Sequence, residues 1–191
     1  MYLTGRVNMA KEKCAYSRFL DGDKSGMEEI VREYNNPLIF FINGYVKNLA
    51  VAEDIAADTF CKVFVKKKKL SDPSGFKTWL YTIARNSALD WLKSGQKQRT
   101  VCLNEIDGYS EDDFDDTILK NEQAKTLHNA IKEIKSDYRE VIHLIYFDEL
   151  SYKEAAKIMR KSEKQIKNLV YRAKLSLKDI LEKEDFVYEN L

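Results

Sequence analysis

The chain has 191 residues, and its 32 Lys and Arg nearly cancel its 31 Asp and Glu, so overall charge singles out no partner. That length suits one domain or two small ones. Seven glycines and two prolines leave little turn material for a many-stranded β fold, so helices are favoured.

Cys14, Cys61 and Cys102 lie far apart without CxxC or Cys/His spacing. This argues against a disulfide framework and a zinc site, and fits a reducing cytosol. The opening MYLTGRVNMAKEKC carries no apolar signal core. Nor does any run approach the roughly 18 apolar residues of a membrane span, so a soluble, cytoplasmic protein with no direct membrane insertion is expected. Either Met1 or Met9 suits a start.

The charge is segregated along the chain. Residues 13–100 hold 15 Lys and Arg against 10 Asp and Glu, a net of +5. Residues 101–121 hold one Lys against seven acids, a net of −6, and residues 122–183 hold 14 against 10, a net of +4. Basic blocks suit polyanions, whereas an acidic, poorly apolar spacer buries too little to fold alone.

In chain order, residues 26–34 and 38–49 read as consecutive helices. Pro37 suits a first helical position, and Leu38, Phe41, Ile42, Tyr45, Val46 and Leu49 form an apolar stripe. A helix over 52–65 opens with Glu53 and Asp54 and buries Ala56, Phe60, Val63 and Phe64. Lys66 to Lys69, then Ser71, Asp72, Pro73 and Gly75, mark a loop. A long helix follows from Phe76 to Lys93, its inward stripe Phe76, Trp79, Leu80, Ile83, Ala84, Ser87 and Trp91, ended by Gly95. The spacer to Asn121 shows no sustained period. Helical spacing returns at Leu127, Ala130, Ile131 and Ile134, and again at Tyr138, Val141, Ile142 and Ile145. Ser151-x-x-Glu154 and Ser162-x-x-Gln165 are both capping boxes, and two capped starts with a short turn between them describe a helix-turn-helix.

The second capped helix carries the clearest functional pattern. Ile166, Val170, Ala173 and Leu177 share one face, expected to pack on Tyr152, Ala155, Ala156 and Met159 of the preceding helix. Lys164, Lys167, Asn168, Tyr171, Arg172 and Lys174 lie on the other, and residues 157–178 hold eight Lys and Arg against one acid. Lys, Arg and Asn suit the major groove, where guanine offers acceptors and adenine pairs with Asn. Charge runs are often just solvated faces, but the helix-turn-helix context favours DNA. The helix from Phe76 is expected to expose Thr78, Tyr81, Thr82, Arg85 and Asn86 beside the lysine loop, a mixture suited to unpaired bases. Glu53, Asp54 and Asp58 lack the further ligands of a metal site. His128 and His143 have no positioned nucleophile and read as ordinary helix histidines. No metal, cofactor or catalytic residue is expected.

These pieces, in this order, resemble the extracytoplasmic-function (ECF) group of the sigma-70 family over nearly the whole chain. AEDIAADTF (52–60) is similar to the family's region 2.2, FKTWLYTIARNSALDWL (76–92) to regions 2.3 and 2.4, and LSYKEAAKIMRKSEKQIKNLVYRAK (150–174) to region 4.2. The resemblance implies an all-α fold of two small helical domains, a region 2 bundle over 13–95 and a region 4 helix-turn-helix over 122–183, joined by a flexible acidic linker over 96–121.

It also implies a non-enzymatic sigma factor that binds core RNA polymerase, recognises −10 and −35 promoter elements and assists DNA melting. Glu53, Asp54, Asp58 and Phe60 would meet the β′ clamp coiled coil. Lys69, Thr78, Tyr81, Thr82, Arg85 and Asn86 would serve the −10 element. Lys161, Lys164, Lys167, Asn168, Tyr171, Arg172 and Lys174 would serve the −35 element, and this domain would lean on the β flap. The acidic linker would run toward the active-site and RNA-exit channel, and an anti-sigma factor would restrain the protein.

Three positions depart from the family pattern. Ala57 stands where Gln is common, Arg160-Lys161 where a small pair such as Gly-Cys is usual, and Leu169 where an Arg is frequent. A stand-alone helix-turn-helix regulator would explain 150–178 but not the motif at 76–92. A helical enzyme would lack a nucleophile, a phosphate loop and a metal set.

Overall fold

The computed structural model describes residues 9–70, 75–99 and 122–183. Every regular element among them is helical. They form two compact units, one built on the helices before residue 100 and one on those after Glu122. Most of the predicted acidic linker, 100–121, lies outside the described residues, as do Cys102 and residues 71–74 of the predicted loop.

The first unit opens with α1 (Met9–Leu20), which stops where Gly22 takes a φ of 94°, conformational space that glycine enters freely. The amide of Asp23 reaches back to the carbonyl of Arg18 at 2.9 Å to close the turn. Asp23 then caps α2 (Lys24–Val46), its side chain accepting from the Ser25 amide at 2.9 Å. The hydrogen bonds from Ser25 hold the Asp23 carboxyl below its ordinary pKa. At the contact between α1 and α2, Gly26 is buried with its Cα facing the backbone of Ala15 and Phe19.

The two helices expected on either side of Pro37 are one helix, because α2 runs straight through it. Proline inside a helix costs about 3 kcal/mol. Here Pro37 itself is exposed, while Ile30, Tyr34, Leu38, Phe41 and Ile42 are buried on both sides of it, and their packing outweighs the lost amide. The helix ends at Val46, and Leu49, expected in its stripe, begins α3 (Leu49–Lys66) instead. Asn48 caps α3 by accepting from the Val51 amide at 3.1 Å. Lys67, at φ 41°, closes it with its N–H on the carbonyl of Val63.

The last helix of this unit, α4 (Phe76–Arg99), packs on both α2 and α3. It continues past Lys93 through Gly95, which has nothing within 4 Å of where a Cβ would stand. A glycine inside a helix weakens it by about 1 kcal/mol without having to end it. The buried stripe is also rotated from the expected one. Phe76, Leu80, Tyr81, Ala84 and Ala88 are buried, whereas Trp91 is 39% exposed and Trp79, Ile83 and Ser87 are half-buried. A helix lying in the groove between two others buries a flank that single-face periodicity does not count.

In the second unit, α5 (Glu122–Glu133) is closed by a side chain from the next helix. Arg139 of α6 (Ser136–Ile142) donates from Nε to the carbonyl of Ile131 at 3.1 Å, and its guanidinium also reaches the carbonyls of Lys132 and Ile134. One arginine thus meets three end-of-helix acceptors, with its positive charge at the negative pole. The chain then widens into a π-helical turn over His143–Phe147, where the Asp148 amide bonds to the His143 carbonyl. His143 Nδ1 lies 2.9 Å from Asp148 Oδ2, both residues buried, so this histidine is part of the turn's framework.

Both capping boxes form. At α7 (Tyr152–Met159) the Ser151 amide meets Glu154 Oε2 at 2.9 Å, and the Glu154 amide meets Ser151 Oγ at 3.3 Å. At α8 (Glu163–Lys183) the Ser162 amide meets Gln165 Oε1 at 2.7 Å, and the Gln165 amide meets Ser162 Oγ at 3.2 Å. Between them Arg160 sits at φ 54°, and the Lys161 amide reaches the Ala156 carbonyl at 3.0 Å. This is the left-handed helix ending that glycine usually supplies. Contrary to expectation, α8 packs chiefly on α5 and α6 rather than on α7. Eight residues of α7 are too few to cover a stripe running from Ile166 through Val170 and Ala173 to Leu181.

Candidate nucleic-acid interface

The first unit places its basic loop on an aromatic platform. Lys66, Lys67, Lys68 and Lys69 are all exposed where α3 ends. The Tyr16 hydroxyl of α1 donates to the Lys68 carbonyl at 2.7 Å, and burial raises the pKa of that phenol, which keeps it a donor. The Lys68 ammonium lies 6.0 Å from the Trp79 ring centre and that of Lys67 lies 5.5 Å from Phe19. Beneath them Tyr16 meets Phe76 at 4.5 Å between ring centres, and Phe19 meets Phe64 at 4.9 Å. Each cation–π contact contributes about 0.5–1 kcal/mol at an exposed site. Neither Tyr16 nor Phe19 stood out in the sequence. The signal available was an aromatic pair three residues apart, one helical turn on a shared face.

Among the residues expected on the −10 face, Lys69 is exposed, and Thr82, Arg85 and Asn86 are half-buried. Thr82 Oγ1 donates to the Thr78 carbonyl at 2.6 Å. Two expectations of exposure are corrected: Tyr81 is 0% exposed and Thr78 is 7% exposed. Tyr81 packs on Phe41 of α2 at 5.0 Å between ring centres and is core, and Thr78 lies one turn earlier on the same flank. Trp79, assigned to packing, does pack on Tyr16 and Phe76, at 6.0 and 6.3 Å between ring centres, and it is half-buried with the Lys68 ammonium over its ring.

On α3, Glu53, Asp54 and Asp58 are exposed, as a docking face requires. Phe60, expected to meet the polymerase, is buried instead. Its ring stacks on Phe64 at 6.1 Å with an interplanar angle of 17°, so it holds α3 against the core. Lys62 lies 3.7 Å from Asp58 and donates to Ser87 Oγ of α4 at 3.0 Å.

In the second unit, α8 is two-sided. Ile166, Val170 and Ala173 are buried, whereas Lys164, Lys167, Asn168, Tyr171, Arg172 and Lys174 are exposed, Tyr171 at 66%. Two of the residues expected to serve the −35 element already have intramolecular partners. Lys161 Nζ lies 3.3 Å from Asp137 Oδ2 of α6, because the turn brings it over the start of that helix. The Lys174 ammonium lies 5.0 Å from the Tyr146 ring centre, and the hydrogen bond and charge of Tyr146 raise its pKa. Leu169 is half-buried, outside the exposed reading face. Among the described residues no three His, Cys, Asp or Glu side chains gather as metal ligands, and no helix is long and apolar enough to cross a membrane.

A basic helix set behind a capped turn, on a separate unit from a lysine loop seated on aromatics, defines a class of transcription proteins. The family model for sigma-70 region 2 matches residues 30–98, from within α2 to the end of α4, and that for sigma-70 region 4 matches 124–177, from α5 into α8. The chain therefore belongs to the sigma-70 family of RNA polymerase sigma factors.

Its relatives point to the extracytoplasmic-function group. The ECF RNA polymerase sigma factor SigM of Bacillus subtilis (strain 168) is 30% identical over 152 residues, covering 80% of this chain and 93% of SigM. The RNA polymerase sigma factor SigV of the same organism is 31% identical over 144 residues, covering 74% and 82%. The fold is shared with CnrH, solved in complex with the cytosolic domain of CnrY, at a TM-score of 0.64 and 16% identity, covering 90% of this chain and 97% of that one. It is shared as well with the sigma factor RpoE of Bartonella quintana, solved with the anti-sigma factor NepR, at 0.64 and 24%, covering 81% and 96%. As a sigma factor the protein directs transcription initiation with core RNA polymerase and binds promoter DNA.

Proposed function

We propose that the labour is divided between the two units, with residues 13–95 serving the −10 element and the polymerase clamp, 122–183 serving the −35 element, and 96–121 joining them. The observation that carries this reading is the two-sidedness of α8, with its apolar face buried and Lys164, Lys167, Asn168, Tyr171 and Arg172 exposed together. A helix that shows Lys, Asn and Arg outward on a helix-turn-helix matches the donors of the major groove. In the first unit the −10 role falls to Lys69, Arg85 and Asn86 with the lysine loop, since Tyr81 and Thr78 belong to the core. Glu53, Asp54 and Asp58 form the acidic clamp-facing surface, and the region 4 unit leans on the β flap. The protein works without chemistry of its own, in the cytoplasm, and an anti-sigma factor holds it inactive, as NepR accompanies the related RpoE.

The test is a transcription assay with core polymerase and a randomised −35 library bound at two salt concentrations. Arg172→Ala should relax preference at one position, at a cost of about 1–3 kcal/mol for the favoured base. Lys164→Ala should weaken all sequences alike and lower the salt slope by about one unit. An unchanged base preference in Arg172→Ala would remove this face from −35 reading. A stand-alone regulator would bind the library yet give no new transcription start.

A further inference from the structure

The widened turn in the second unit changes where one side chain points. In an unbroken α-helix Tyr146 would stand one turn after Ile142 and His143, at the i+4 and i+3 spacings, and share their buried side. The π-helical turn His143–Phe147 takes up an extra residue and carries Tyr146 past that side, so that it is 46% exposed. Two contacts hold the turn in this form, each at 2.9 Å: Asp148 Oδ2 on His143 Nδ1, and the Leu150 amide on the Leu144 carbonyl. From there Tyr146 meets α8, where the Lys174 ammonium lies 5.0 Å from its ring centre.

We propose that Tyr146 is a positioning residue for promoter binding, fixing the Lys174 ammonium where it meets a backbone phosphate beside the −35 element. The inference rests on the reading of α8 as the −35 helix. On such a helix the first turns meet base edges. Lys174 lies about 9 Å further along the axis than Asn168, which suits the flanking backbone. A lysine that moves freely loses side-chain freedom when it binds, and a ring that holds it beforehand removes much of that cost. The neutrality of the ring matters as well. Asp137 offsets the charge of Lys161, whereas a phenol leaves the charge of Lys174 in place for a phosphate. The hydrogen bond with Tyr146 raises the pKa of Lys174, which keeps it an ammonium. Both side chains are exposed, so a phosphate can reach the pair.

A double-mutant cycle tests this, in the full chain assembled with core polymerase and bound to a duplex library randomised at −35, at two salt concentrations. Lys174→Ala should weaken all sequences alike and lower the salt slope by about one unit. Tyr146→Ala should also weaken them alike, by about three- to tenfold, the scale of immobilising one long side chain. In the Lys174→Ala background, Tyr146→Ala should change nothing further. An equal loss in both backgrounds would make Tyr146 a support of the fold and overturn the inference. Unchanged or tighter binding by Tyr146→Ala would overturn it too, since the ring would then be idle or would withhold the lysine. If Lys174→Ala binds normally while Arg172→Ala loses its base preference, α8 still serves the −35 element and the inference alone fails. If neither substitution has an effect, the reading of α8 itself fails.

Discussion

The two units present charge to solvent by opposite means. In the first, the lysines at 66–69 are placed by bulk, on an aromatic layer of Tyr16, Phe19, Phe76 and Trp79 supplied by two helices distant in sequence. In the second, Lys164 to Arg172 are placed by backbone hydrogen bonding, through two capping boxes and one left-handed residue, all within a few positions of one another. A surface set by long-range packing fails when a core residue is lost. One set by local caps weakens gradually, one hydrogen bond at a time.

Substitutions sharpen that contrast. Tyr81→Ala should cost about 3–5 kcal/mol by leaving a cavity against Phe41. Hydrogen exchange should accelerate through α2 and α4 while the amides of α8 keep their protection. Acceleration confined to the residues beside Tyr81 would show that the first unit does not depend on its aromatic packing. Ser162→Ala should cost about 1 kcal/mol and fray only the first turn of α8, because one amide loses its cap. The same measurement reads it at the amides of Lys164 and Gln165. Smallest, and opposite in sign, Arg160→Gly should raise the thermal midpoint through a gain of about 0.5–1 kcal/mol, since glycine meets no Cβ penalty in the left-handed region. A lowered midpoint would mean that the arginine side chain contributes more than its backbone costs.

The same contrast explains what could be read in advance. Both capping boxes were legible because a cap is a short-range event, written within four residues. So was the buried line of Ile166, Val170 and Ala173, since a helix with one buried side has a single period. The burial of Tyr81 was not legible, because it depends on α2 and α3 gripping α4 from two sides, and periodicity carries no record of a second neighbour. Pro37 misled for a related reason: local propensity marks a break, and the side chains that overrule it belong to a core assembled from other helices. The pairing of Lys161 was not legible because Asp137 stands in another helix. The left-handed position was visible as the unusual Arg160-Lys161 pair, although its strain shows only in the dihedral angle.

Gly26 gives the first unit a hidden dependence. A methyl group there would be driven into the carbonyl oxygen of Ala15 and the amide nitrogen of Phe19, neither of which can swing aside. The first helix would have to lift, taking with it the tyrosine that anchors the Lys68 carbonyl. One absent carbon atom thus holds in place the helix that supports the lysine loop. The exposed lysines have space around them for other side chains, whereas the residue that lets them stand where they do has no room for a single methyl group.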